Sequence, residues 1–378
     1  MIYFDSAATT LQKPESVRRA VLRALTVMSS PGRGNHAASR EAAETAFSCR
    51  SLAAEMFGAE GPENVVFTMN ATHALNLAIK SLVREGSRVV ISGYEHNAVT
   101  RPLYSMRGVE TIVAESPLFD ADAAVRAFET VLAQGVDVAV CTHVSNVFGY
   151  VLPVERIAAR CRAYGVPLIV DASQSAGVEA VDMAAWGAAF AAMPGHKGLY
   201  GPQGTGLLLC AHETVPLIEG GTGSDSLLQQ MPDYLPDRLE AGTHNMPGIA
   251  GLPAGLRFVE SRTQEHILAY ERALTEKVIE GLMQLHGVSA FAARERALQA
   301  GVVSFTVQGF DAEELAELLG ARGISVRGGL HCAPTAHRTA GTVDSGTVRV
   351  SMSVFNKASE VERFLCELRR IIYRKSVF

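Results

Sequence analysis

Apolar positions along the chain switch between two periods. Val17, Ala20, Val21, Ala24, Leu25 and Met28 recur at spacings of three and four, which predicts an amphipathic helix opened by Pro14 and Glu15. A second helix is predicted over residues 39–57, stopped by Gly58. Short β-branched runs then follow at 65–67, 88–91, 109–113, 136–141 and 166–170, with helical stretches between them. Strands alternating with helices predict parallel βαβ units covered on both faces. Such sheets bind ligands beyond the carboxyl ends of their strands, so residues just after each apolar run are the candidates for chemistry.

Beyond residue 230 the pattern changes. Residues 231–245 are polar, punctuated by Pro and Gly, and read as a long functional loop. One helical stretch is predicted over 250–285. A strand at 302–307, a helix at 311–319, strands at 324–326 and 348–351 and a last helix from 359 make a compact α+β unit. The expected organisation is a large domain over 1–254, with a mixed, mostly parallel sheet between helices, and a smaller α+β domain over 255–378. The segment up to about residue 15 is placed against the smaller unit.

Composition narrows the function classes. The 378 residues are 48% hydrophobic and 19% charged with a formal net charge of −5, which suits a packed globular protein and gives no electrostatic footprint for nucleic acid. No apolar run reaches the roughly 18 residues of a membrane span, and the N-terminus has no basic-then-apolar leader. The six cysteines are scattered without a CxxC pair, so neither a disulfide framework nor a metal site is expected, and a reduced, cytoplasmic setting is.

Two segments carry the strongest chemistry. The run 166–170 delivers Asp171 at a strand end, with Gln174 three residues on; alone, Asp171 reads as a helix cap. Twenty-six residues later, an Ala-rich run leads into Gly195-His196-Lys197-Gly198, the start of a glycine-dense loop. Pyridoxal 5′-phosphate (PLP) asks for this combination. A lysine binds its aldehyde, and an acid keeps the pyridine nitrogen protonated so that the ring accepts a carbanion's electrons.

With these segments go Phe4-Asp5-Ser6-Ala7-Ala8-Thr9-Thr10, residues 70–76, Glu95-His96-Asn97-Ala98, residues 144–149, Glu240-Ala241-Gly242-Thr243, Arg327-Gly328-Gly329-Leu330-His331-Cys332-Ala333 and residues 349–356. In this order they resemble the fold-type I PLP-dependent transferases of the class V aminotransferase family, in its cysteine desulfurase and selenocysteine lyase branch. The resemblance implies Lys197 as the cofactor lysine and Asp171 as the partner of the ring nitrogen. It implies His96 stacked on the ring, Asn146 and Gln174 near the ring oxygen, and Thr72, His73 and His196 around the phosphate. A helix N-terminus bearing a Thr hydroxyl suits that phosphate on physical grounds. Thr243 matches a residue that reaches the neighbouring subunit's phosphate, which implies a homodimer. Arg349 and Asn146 match the substrate's carboxylate site. An arginine among β-branched residues must find an anion or solvent, and an internal carboxylate is the other reading. Pro194 departs from the family, where Ser or Thr often contacts the phosphate; proline has neither hydroxyl nor N–H.

Cys332 decides the branch. Cys49, Cys141, Cys161, Cys210 and Cys366 fall in predicted helices and strands and read as small core residues. Cys332 alone is predicted in a loop, after two glycines and beside His331, whose imidazole is expected to favour the thiolate. Leu330 stands where relatives often carry His. The resemblance implies a desulfurase that takes sulfur from L-cysteine, leaves alanine and holds a persulfide on Cys332 for an acceptor protein. Selenocysteine lyase, another C–S lyase or an aminotransferase on the same scaffold are the alternatives. A PLP-bound scaffold without catalysis would be expected to lack Lys197 or Asp171, and both are present.

Overall fold

The computed structural model describes residues 1–32 and 34–376; Arg33 and the last two residues of the expected small domain, 377 and 378, lie outside it. The strands are β1 (Ile2–Tyr3), β2 (Val65–Thr68), β3 (Arg88–Ser92), β4 (Glu110–Ala114), β5 (Val138–Thr142), β6 (Leu168–Asp171), β7 (Phe190–Pro194), β8 (Gly206–Cys210), β9 (Val288–Phe291), β10 (Val302–Val307), β11 (Ile324–Ser325) and β12 (Val348–Ser351). The helices are α1 (Glu15–Val27), α2 (Ala37–Phe57), α3 (Ala71–Leu82), α4 (Asn97–Ser105), α5 (Ala121–Leu132), α6 (Val154–Ala163), α7 (Met183–Trp186), α8 (Met246–Arg262), α9 (Gln264–Met283), α10 (Ala312–Gly320), α11 (Pro334–Thr339) and α12 (Ala358–Ser376).

Seven strands form the main sheet in the order β2-β8-β7-β6-β5-β3-β4. The run β4-β3-β5-β6-β7 is parallel, and β8 is antiparallel to both neighbours. Alternate residues of one strand enter different cores: Ala139 and Cys141 pack on one face of the sheet, Val138 and Val140 on the other. Burial on both faces is why these strands are continuous apolar runs rather than alternating ones. Helices α2, α5, α6 and α8 cover the first face, and α3 and α4 the second.

A separate core lies around the three-stranded antiparallel sheet β12-β10-β9, joined by α9, α10 and α12. Ile2 and Phe4 belong to this core, and β1 pairs in parallel with β11. The chain then crosses back: Thr9 and Lys13 bond to His196 beside Lys197. Residue 255 falls inside α8, whose Leu252 and Leu256 pack in the large core; after α8 the chain first joins the small core at Leu274 on α9.

The predicted single helix at 250–285 is two helices. Thr263, at φ 59°, ends α8 and caps α9 by accepting from the His266 N–H. A left-handed Thr is uncommon, so sequence gave no stop signal there. Helix α8 also carries Gly255, where an added Cβ would collide with the Leu199 carbonyl oxygen in the loop after Lys197. Gly255→Ala should cost about 1–3 kcal/mol through overpacking, seen as a lowered melting temperature by circular dichroism.

Candidate active site

Strands β2, β3, β5, β6 and β7 all run the same way, and their carboxyl ends meet at one edge. The segments that follow them line a cleft of about 500 Å³: Thr72 after β2, His96 after β3, Asn146 after β5, Asp171 and Gln174 at the end of β6, and His196 and Lys197 after β7. The crossover connections of a parallel sheet force this convergence of residues far apart in sequence.

Asp171 is 2% exposed; Oδ1 accepts the Ser173 N–H at 2.9 Å, and no protein donor among the described residues takes Oδ2. Burial lowers the Lys197 amine to about 8; Asp171 opposes that shift, while Arg349 and Arg327 add to it. The amine therefore has a larger neutral, nucleophilic fraction near neutral pH than an ordinary lysine. His96 caps α4, its Nδ1 accepting the Ala98 N–H at 3.0 Å, so a neutral ring carries its proton on Nε2. Burial pushes His96 down to about 4, against the pull of Asp171. His196, with Nδ1 2.9 Å from the Thr9 hydroxyl, is held at about 4 chiefly by burial. Gln174 donates to the Ala7 carbonyl at 3.0 Å.

Asn70 caps α3 by accepting the His73 N–H, and the exposed Thr72 lies in the first turn. Pro194 lines the cleft, so Thr72 and Ser173 offer the cleft hydroxyls that no protein carbonyl claims; Thr142 Oγ1 already donates to Val144. His73 and Thr243 are not among the cleft's lining residues. They line a second pocket with Glu240 and His244. There Arg50 makes a buried double hydrogen bond to Glu240 at 2.8 and 2.7 Å, and Glu240 also takes the Phe67 N–H and His244.

Arg349 is 1% exposed, and the internal carboxylate is present: Nη2 donates to Asp5 at 2.6 Å and Nη1 to the Asn146 carbonyl at 2.9 Å, while Nε has no partner. Asn146 in turn donates to the His331 carbonyl at 2.8 Å, and the Asn97 N–H to the Cys332 carbonyl at 2.8 Å. His331 and Cys332 both sit in the left-handed region, at φ 52° and 57°. Cys332 is exposed, whereas its neighbour's imidazole is buried, with Nε2 at Thr347 (3.0 Å) and Nδ1 unpartnered. His331 thus braces the loop from below, and burial keeps it neutral rather than a cation beside the thiol. Four other cysteines are buried, but Cys366, expected in the core, is exposed on α12.

Sequence reasoning passed over two residues as site members. Arg327 forms a β-bridge with Arg349 and acts on both Lys197 and His96; its place in the Arg-x-Gly-x-His-Cys motif was the signal. Glu95 is fully buried, its Oε1 accepting Ser92 Oγ at 2.5 Å and Thr142 N–H at 2.7 Å and its Oε2 unpartnered.

A buried carboxylate, a lysine whose amine burial holds down, a neutral imidazole and a helix N-terminus thus meet at one cleft of a mostly parallel α/β sheet. The signature of the aminotransferase class-V family matches residues 2–364, and the chain belongs to that family. A probable cysteine desulfurase of Pyrococcus abyssi is 33% identical over 98% of this chain and 94% of its own length. A probable cysteine desulfurase of Mycolicibacterium paratuberculosis is also 33% identical over 98% of this chain; the chain spans only 55% of that longer relative. The apo cysteine desulfurase from Thermococcus onnurineus NA1 superposes with a TM-score of 0.90 at 32% identity, covering 99% of this chain and 95% of that one.

Burial raises Glu95 to about 8, with a further push from Asp171. A carboxyl raised in the fold contributes stability in full below its unfolded value near 4.5 and loses it as pH rises to about 8. The melting temperature of the cofactor-free protein should fall from pH 5 to pH 8, and by less in Glu95→Gln; calorimetry at both pH values checks this.

Proposed function

We propose that this protein is a PLP-dependent cysteine desulfurase that converts L-cysteine to L-alanine and leaves a persulfide on Cys332. The observation that carries the reading is the tether of the Cys332 loop to the cleft. Asn146 holds the carbonyl of His331, and Asn97, next to His96, holds that of Cys332.

The residues fit the cofactor. The N-terminus of α3 with Thr72, and His196, would take its phosphate, Lys197 its aldehyde, and the free Asp171 Oδ2 its ring nitrogen. His96 would lie against the ring, and Gln174 and Asn146 beside its oxygen. When bound, PLP supplies an electron sink for the substrate's Cα. Arg349, with its unpartnered Nε, and Asn146 orient the substrate carboxylate. Lys197 takes the Cα proton as general base. The Cys332 thiolate attacks the substrate sulfur; the C–S bond breaks, an S–S bond forms, the substrate thiol's proton passes to the carbon that becomes alanine's methyl group, and Lys197 returns the Cα proton. The terminal sulfur then passes to an acceptor protein. The six cysteines are unpaired, which supports a reducing, cytoplasmic setting; among the described residues no helix is long and apolar enough to cross a membrane.

The reading is tested by brief exposure of the PLP-loaded protein to L-cysteine. Mass spectrometry should find one added sulfur on the Cys332 peptide, and Cys332→Ala should keep the cofactor's visible absorbance while alanine formation falls to background. Normal alanine formation by Cys332→Ala would favour a direct lyase instead.

We further propose a homodimer in which Thr243 reaches the neighbouring cofactor phosphate. The loop ahead of it supports this, because Ile218, Leu227 and Leu228 are exposed at 48%, 98% and 56%. Light scattering should give twice the chain mass, and Thr243→Ala should lose PLP faster on dialysis.

A further inference from the structure

The arginine assigned to the substrate's carboxylate is closed off. Arg349 is 1% exposed and is not among the residues that line the cleft. Its Nη1 is engaged by the Asn146 carbonyl and its Nη2 by Asp5 Oδ1 at 2.6 Å, while Nε is sealed from solvent without a partner. A carboxylate already sits on this guanidinium, and the protein itself supplies it.

The backbone around Asp5 is fixed on both sides. Ahead of it, β1 pairs with β11. Asp5 forms a β-bridge with Ser351, and the Ala7 N–H donates to Ser351 Oγ at 2.9 Å. Beyond it, Thr9, Thr10 and Lys13 donate to the carbonyls of His196 and Lys197. What is left to move is the Asp5 side chain, by turning between rotamers. That side chain is 20% exposed against 2% for Arg349, so Asp5 is the partner with a way out.

A count of charges points the same way. Arg327 and Arg349 exchange both backbone hydrogen bonds, at 3.2 and 2.8 Å, so their side chains leave from one face of the pair. Arg327 has no carboxylate partner among the described residues. Asp5, Arg349 and Arg327 all act on the Tyr3 hydroxyl, which gathers the three charges in one neighbourhood. Like charges directly opposite each other are unfavourable. Two guanidinium ions and one carboxylate therefore leave the group one anion short. An amino-acid substrate brings that anion, and Arg327 gives Asp5 a second cation to meet when it leaves the first.

We propose that Asp5 holds the place of the substrate's carboxylate on Arg349 between turnovers, and that an α-amino acid binds by exchanging its own carboxylate for that of Asp5. The inference rests on the desulfurase reading and its assignment of Arg349. Only hydrogen bonds change: Nη2 passes from Asp5 to the ligand, beside the unpartnered Nε of the same guanidinium. A ligand without a carboxylate cannot make the exchange. Every carboxylate ligand, alanine included, binds more weakly than it would to an unpaired Arg349, and the return of Asp5 helps alanine to leave.

The test titrates PLP-loaded wild type, Asp5→Asn and Asp5→Glu with L-alanine and with ethylamine, its counterpart without a carboxylate, followed by visible absorbance. Asp5→Asn should bind L-alanine about tenfold more tightly than the wild type, a charge-assisted hydrogen bond no longer being displaced, and should bind ethylamine as the wild type does. Asp5→Glu should return L-alanine towards wild-type affinity. Damage to the fold does not raise affinity for one ligand alone. L-alanine bound no more tightly by Asp5→Asn, or ethylamine tightened equally, overturns the proposal. Should Asp5→Asn fail to fold, a crystal structure of the PLP-loaded wild type grown with L-alanine decides. The ligand carboxylate should be on Arg349 with Asp5 out of hydrogen-bonding distance of it, and Asp5 still bonded there overturns the proposal. The same wild-type preparation is assayed for alanine made from L-cysteine. If it makes none, the desulfurase reading fails and this inference with it. If it makes alanine and Asp5 behaves as in either overturning result, this inference alone fails.

Discussion

Arg349 carries a full charge into the interior, and three separate parts of the chain are arranged around it. Its guanidinium is on β12 of the small core, its carboxylate partner Asp5 is in the N-terminal segment, and its carbonyl partner Asn146 follows β5 of the large sheet. A buried cation is costly unless it is paired, and removing one partner of such a pair typically costs about 3–5 kcal/mol. This pairing ties β12 of the small core to the N-terminal segment and to the loop after β5. Asn146 extends the constraint to the Cys332 loop through the His331 carbonyl. The left-handed backbone at His331 and Cys332, a conformation that costs L-residues about 1–2 kcal/mol each, is held by these bonds and by the seat of His331 on Thr347.

The same burial sets the charge states of the site. Desolvation lowers the bases Lys197, His96 and His196 and raises the acids Glu95 and Glu271. Asp171 opposes the shift at Lys197, and the two arginines reinforce it. The result is that His96 and His196 are neutral at pH 7, while Lys197 gives up its proton more readily than an ordinary lysine. Protons can be moved there without moving large amounts of charge through a low-dielectric interior. Positive potential from Arg327 and Arg349 suits an entering carboxylate and an anionic cofactor.

Much of the sheet was legible because strands buried on both faces leave continuous apolar runs, and those runs end where the parallel topology puts the site. Asp171 and Lys197 could thus be picked out as residues just past apolar runs, while His96 and Asn146 were singled out by the family resemblance. Other features left weak marks or none. The helix break at Thr263 depends on a backbone conformation that Thr seldom adopts. The exposure of Cys366 depends on which face of α12 meets the small core, and an amphipathic helix carries cysteine on either side. The grouping of His73 with Thr243, rather than with Lys197, depends on which way the first turn of α3 faces.

The amino-acid sequence alone determined the alternation of elements and the types of residue delivered to the strand ends. These follow from local periodicity and from the order of short motifs along the chain. Only the tertiary structure decided which partners those residues meet. The pairing of Arg349 with Asp5, the turning of His331 away from a charged role and the burial of Glu95 against the Thr142 N–H all join residues distant in sequence. Desolvation and hydrogen-bond matching are properties of the assembled interior, and no local pattern encodes them.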